Sequence, residues 1–225
     1  MVDQPLIRCR GIKKTYEYDG NRVEALKSTD LDIQGGQLTL VAGPSGSGKT
    51  TLISIIATIL SSDAGQLTLL GQEMGQLSAD EKAHFRCANI GIVYQSLFLI
   101  PTLTVLENVM LPLTIAGYHV GQAKEKASKL LQQVHLDDRS HVSPASLSKG
   151  QQQRVAISRA MINDASIIIC DEPTSALDHV TGFEIMEFLH GLAQHSARAV
   201  IVVTHDPRVF PYADRIINMS DGEIT

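Results

Sequence analysis

Apolar and polar residues alternate in short runs from Leu6 to Ala42, interrupted at Asp19-Gly20 and Gly35-Gly36. That pattern predicts β-strands joined by turns. Continuous apolar runs at 38–42, 89–94, 166–170 and 199–203 predict buried strands, and 66–70 (closing on Gly71) and 215–219 (before Ser220-Asp221-Gly222-Glu223) predict two more. The texture is helical at 51–60 and again beyond about Ser96. There Ala123, Ala127, Leu130, Leu131 and Val134 share one face of an amphipathic helix, and 155–162 and 180–194 predict two further helices. Ser78 with Glu81 and Thr104 with Glu107 are capping boxes, predicting helix starts at Ala79 and just after Thr104, the second running through Met110. Strands alternating with helices predict an α/β fold. No internal repeat or linker divides it, so one domain carrying a helical insertion at about 96–163 accounts for the chain.

The most informative stretch lies between the strand at 38–42 and the helix at 51–60. It reads Gly43-Pro44-Ser45-Gly46-Ser47-Gly48-Lys49-Thr50, with Thr51 next. A glycine, four residues and Gly-Lys-Thr, with a strand before and a helix after, is the phosphate-binding P-loop. Its glycines let the backbone curl so that N–H groups point at phosphate oxygens at the positive end of the following helix. Lys49 reaches the terminal phosphates as a point charge, and the Thr50 hydroxyl binds Mg²⁺. The expected ligand is a nucleoside triphosphate.

Composition narrows the partners. At 225 residues the chain suffices for one sizeable domain or two small ones. A net charge of −5 with no Lys/Arg run argues against nucleic acid as the main partner. Cys9, Cys87 and Cys170 are far apart and form no C-x-x-C pair, which suggests reduced thiols in a cytosolic protein. The longest apolar runs, such as 52–60, fall well short of the roughly 20 residues that span a bilayer. No basic-then-apolar signal segment opens the chain. Membrane work is therefore expected to come through a partner.

Further motifs follow the P-loop: Gln95 at a strand end, Leu147-Ser148-Lys149-Gly150-Gln151 opening a helix, Asp171-Glu172 ending a strand, Ser175-Ala176-Leu177-Asp178, and Thr204-His205-Asp206. In this order they resemble the ATP-binding-cassette ATPases over nearly all of the chain. The resemblance implies a P-loop NTPase (RecA-like) core with an N-terminal antiparallel β subdomain and an inserted α-helical subdomain, a single domain over 1–225. Gln95, Leu97, Pro101-Thr102-Leu103-Thr104 and Leu106-Glu107-Asn108-Val109 resemble one branch in particular. It holds the macrolide-exporter, lipoprotein-releasing and heterocyst glycolipid-exporter ATPases, and a cell-division ATPase that acts beside a membrane protein.

Asp171, ending an apolar strand beside the P-loop strand, can hold the Mg²⁺ shell. The remaining roles are those the resemblance implies. Glu172 is similar to the catalytic base that activates water. Gln95 is similar to the glutamine that touches Mg²⁺ or water, and His205 to the switch histidine on the γ-phosphate. The segment Leu147 to Gln151, with Lys149 where the family commonly has glycine, completes the nucleotide site of an opposing copy. Two copies would therefore pair head to tail around two Mg·ATP. Asp178 resembles the loop crossing that interface, or is simply a helix cap. Tyr16 resembles the aromatic that stacks on adenine, or is a plain strand aromatic. The implied function is ATP hydrolysis driving an integral membrane permease subunit, with lipid, lipoprotein or hydrophobic compounds exported. The place is the cytoplasmic face of the inner or plasma membrane, peripherally, with the partner groove around Gln95 to Asn108. The alternative is an ATPase that regulates a membrane complex without transport.

Overall fold

A computed structural model describes residues 4–18 and 20–225. Of the turn expected at Asp19-Gly20, Asp19 lies outside the described residues; Gly20 takes φ 77°. The alternating N-terminal segment forms β1 (Ile7–Tyr18) and β2 (Asn21–Ile33), an antiparallel pair. β3 (Gln37–Ala42) leads into the P-loop and α1 (Lys49–Ile56). β4 (Ala64–Leu69) returns antiparallel to β1 and pairs with β5 (Gln72–Glu73), giving a sheet of order β2-β1-β4-β5. Both expected capping boxes form, opening α2 (Ala79–Asn89) and α3 (Val105–Ile115) on either side of β6 (Ile90–Val93). α4 (Val120–Gln133), α5 (Lys149–Met161), β7 (Ile167–Asp171), α6 (His179–Ser196), β8 (Ala199–Thr204), β9 (Arg215–Ser220) and β10 (Glu223–Ile224) complete the chain.

The second sheet has order β10-β9-β3-β8-β7-β6, parallel except for β10 at its edge. Its central strands are apolar on both faces because both faces are covered. Leu38, Leu40, Ile168, Cys170, Val200 and Val202 pack with Ala156, Ile157, Ile185, Met186 and Leu189 of α5 and α6. Val41, Ile167, Ile169, Ile201 and Val203 face the other way, onto Leu52, Ile53, Ile55 and Ile56 of α1 and the antiparallel sheet. α1 is thus clamped between two sheets, and each fully buried Leu or Ile there stabilises the fold by about 1.5–3 kcal/mol. A separate core of Val105, Val109, Leu113, Ala123, Ala127 and Leu131 joins α3 to α4, and Val155 and Ile162 of α5 close it. α5 therefore packs on the sheet with one face and on the helical insertion with another.

Three helix boundaries differ from expectation by a turn or more. α1 stops at Ile56 rather than residue 60, because Thr58 turns left-handed (φ 56°) and the N–H groups of Ile59 and Leu60 both donate to the Ser54 carbonyl, at 3.0 and 3.1 Å. α3 continues past Met110 to Ile115, with Pro112 inside it. α5 starts at Lys149, six residues before the expected 155, because Ser148 and Gln151 form a third capping box over a polar stretch.

Candidate functional site

β3 delivers the P-loop to the carboxyl edge of the parallel strands, where open α/β sheets leave a crevice. Gly43, Gly46 and Gly48 all take positive φ, at 154°, 82° and 96°. Gly48 is the left-handed N-cap of α1, and a Cβ there would collide with the Ala25 carbonyl oxygen. Only glycine satisfies both constraints. Lys49, first in the helix, is buried and folds back. Its Nζ donates to the carbonyls of Gly43 (2.8 Å) and Pro44 (2.7 Å) and approaches Ser47 Oγ at 3.4 Å. Burial lowers its pKa, and the carboxylates of Glu172 and Asp171 oppose that shift. For Asp171 at the end of β7, burial and then the Glu172 charge raise the pKa, while Lys49 lowers it.

Glu172 is held unusually. It adopts φ 49°, its N–H donates to the Val203 carbonyl at 2.9 Å, and its Oε1 lies 2.7 Å from His205 Nδ1. A non-glycine residue in that region carries on the order of 1–3 kcal/mol of strain, which clusters at functional sites. Here the twist at the β7 end turns the carboxylate toward His205, which stands just past β8. Asp206 Oδ1 and Oδ2 accept from Arg208, whose Nη1 contacts the His179 ring at 2.7 Å. The loop after β8 is thereby tied to the start of α6.

Ser45, Gly46, Gly48, Lys49, Thr50, Thr51, Gln95, Asp171, Glu172 and His205 line one cleft of about 340 Å³, together with Ala25 and Val203. Gly43, Pro44 and Ser47 sit behind it as partners of Lys49. The other expected site residues lie elsewhere. Tyr16 is exposed on β1 opposite Val23, with Lys14 Nζ 5.9 Å from its ring centre. Leu147 is buried and Ser148 caps α5. Gly150 packs so closely on Thr181 of α6 that a Cβ would strike its methyl. Lys149 is exposed and its side chain makes no hydrogen bond or ion pair among the described residues. It lines a neighbouring cavity of about 450 Å³ with Gln152 and Gln153, a cavity that Gln95 and Glu172 also reach. Asp178 caps α6, with Oδ1 accepting from the Thr181 N–H at 3.1 Å and Oδ2 from its hydroxyl at 2.8 Å. Ala25 and Val203 were not expected at the site; the close approach at Gly48 was the only hint of Ala25.

Comparison with known proteins decides the family. The profile described as ABC transporter matches residues 26–175, from β2 to just beyond Glu172. The chain belongs to the ABC transporter family. This ABC chain is 41 % identical over 220 residues to the macrolide export ATP-binding/permease protein MacB of Escherichia coli K12, covering 98 % of the chain and 34 % of that protein. It is 39 % identical over 224 residues to MacB of Pasteurella multocida, again covering 34 % of it. It thus spans about a third of the length of the curated relatives it matches. Among solved structures it is similar to the dimeric bacterial ABC transporter cassette MJ0796 (TM-score 0.88, 39 % identity, 97 % of this chain and 96 % of that one). It is equally similar to the dimeric post-hydrolysis state of that cassette bound to ADP and Pi (TM-score 0.89, 38 % identity, the same coverage). Among the described residues no helix is long and apolar enough to cross a membrane.

The cleft also fits the cation the family implies. Thr50, Gln95 and Asp171 offer a hydroxyl, an amide and one carboxylate, all hard oxygen donors. No cluster of His, Cys, Asp and Glu among the described residues could hold a metal by itself. Mg²⁺ suits such a place, because it takes one or two carboxylates, keeps waters and shares phosphate oxygens.

Proposed function

We propose that this ABC chain binds and hydrolyses Mg·ATP and drives a membrane permease that exports lipid, lipoprotein or hydrophobic compounds. The observation that carries the reading is a single cleft holding the Lys49 ammonium, Asp171, and a Glu172 turned onto His205. Lys49 exchanges the Gly43 and Pro44 carbonyls for terminal phosphate oxygens, with loop N–H groups around them. Thr50, Gln95 and Asp171 would hold Mg²⁺, which would supply positive charge to neutralise the transferring phosphoryl group. Glu172 accepts the proton of the attacking water, and His205, hydrogen-bonded to it, orients the carboxylate and meets the γ-phosphate.

Ser148, Gly150 and Gln151 stand outside their own P-loop cleft, which supports their use on a second copy in a head-to-tail homodimer. Lys149 then brings a positive charge to that opposing site, and Asp178 lies at the crossing. The dimeric cassettes to which the chain is similar support the same arrangement. Tyr16 is the proposed adenine contact. The permease engages the face around Gln95 to Asn108, where Phe98 is 67 % exposed and stacks edge-on with Tyr94. In this reading the chain works at the cytoplasmic face of the inner or plasma membrane. Phosphate release by the wild type and by Glu172→Gln tests the assignment: turnover in the first and its loss in the second are expected, and equal turnover in both would remove Glu172 from the mechanism.

A further inference from the structure

The stretch after Gln95 packs Leu97 and Leu99 on the core but makes few hydrogen bonds. Among the described residues the only hydrogen bonds of 96–99 come from one side chain far along the chain, Arg159 of α5. Its Nη2 donates to the Leu97 carbonyl at 2.5 Å and its Nη1 to the Phe98 carbonyl at 2.7 Å. Phe98 itself is held left-handed, at φ 46°. The loop is next fixed at Ile100, whose N–H donates to the buried Asn108 of α3 and whose carbonyl accepts from it. Arg159 is half-buried, that burial lowers its pKa, and no carboxylate pairs with it among the described residues. A half-buried guanidinium without a carboxylate partner gains little from packing alone, whereas its planar fork suits two adjacent carbonyls.

α5 is capped by Ser148 and, three turns on, grips the loop that carries Gln95. We propose that Arg159 is a positioning residue that sets Gln95 against Thr50 and Asp171 and makes the start of α5 and the Gln95 loop move as one piece. The inference rests on the Mg·ATPase reading. It adds that the cation-binding geometry is governed from α5, through backbone carbonyls rather than through Gln95 alone.

Arg159→Lys and Arg159→Gln test this in the full chain, with three readouts. Lysine keeps the charge but cannot bridge both carbonyls in one plane. Removing the support of a ligand costs about 10- to 100-fold in activity or metal affinity. Arg159→Gln is therefore expected to lose kcat by that amount and to need more Mg²⁺ for half-maximal turnover. ATP binding in EDTA should stay unchanged, and Arg159→Lys should fall between it and the wild type. Amide hydrogen exchange without nucleotide should quicken in peptides covering 95–104 and stay at the wild-type rate in β3, β7 and β8. Unchanged kcat, Mg²⁺ requirement and loop exchange in both variants would overturn the proposal. So would faster exchange throughout the sheet together with lost ATP binding, which marks a residue of general stability. A wild type that turns over no ATP would refute the function reading itself, and the exchange pattern at 95–104 would still decide whether Arg159 holds the loop.

Discussion

Lys49 donates to two carbonyls of its own loop, so under the proposed function phosphate would exchange one set of acceptors for another without dehydrating a free cation. Those two acceptors also satisfy the buried ammonium within the fold. Lys49→Ala should reduce ATP turnover to background in a phosphate-release assay while leaving circular dichroism unchanged; retained turnover would place the phosphate elsewhere. The strand, glycine turn and helix around Lys49 were legible in the sequence because their signals are local: glycine spacing, Lys-Thr, and strand and helix flanks within a few residues. The left-handed turn at Glu172 and the contact of its carboxylate with His205, at 2.7 Å, were not. They depend on where β7 and β8 stop beside each other, which spacing along the chain does not encode. The Arg159 tether, some sixty residues from its acceptors, was invisible for the same reason.

At the scale of elements, helix starts were read correctly where a cap preceded a recognisable segment, at Ala79 and after Thr104. The start of α5 was misplaced because residues 149–153 carry no apolar period, although Ser148-x-x-Gln151 is itself a capping signature. Ser148→Ala should lower stability by about 0.5–2 kcal/mol in urea melts; a variant as stable as the wild type would mean that the cap contributes nothing. The caps also carry a pH signature. Hydrogen bonds from Ser78 hold the Glu81 carboxyl below its ordinary pKa, and bonds from Thr104 and Thr181 do the same for Glu107 and Asp178. Each is a carboxyl whose folded pKa lies below its unfolded one, so its stabilisation is complete above the unfolded value and is lost as pH falls through the folded value. The melting temperature should decline on acidification through the carboxylate range, and replacing Glu81 and Glu107 by Gln should flatten that decline.

For the molecule as a whole, the helical insertion has a core of its own and meets the sheet through α5, the helix that begins with Leu147 to Gln151 and holds the Gln95 loop. Leu131 of α4, fully buried in the core shared with α3, tests how far that insertion is coupled to the rest. Leu131→Ala should cost about 2–5 kcal/mol. If the coupling through α5 is tight, the loss should appear as one cooperative transition rather than two. Fold class was legible from strands alternating with helices, because the apolar strands of a doubly covered sheet are distinctive. The placement of Leu147 to Gln151 away from their own P-loop cleft was foreseeable only through the resemblance, and it is what makes a second copy necessary to the account.

The most direct test is the mass in solution of Glu172→Gln with and without Mg·ATP, measured by light scattering. The account expects a chain of 24.4 kDa that doubles in mass when Mg·ATP is added and stays doubled, because ATP is held between two copies and not hydrolysed. A protein that binds ATP and remains at the mass of a single chain would contradict it.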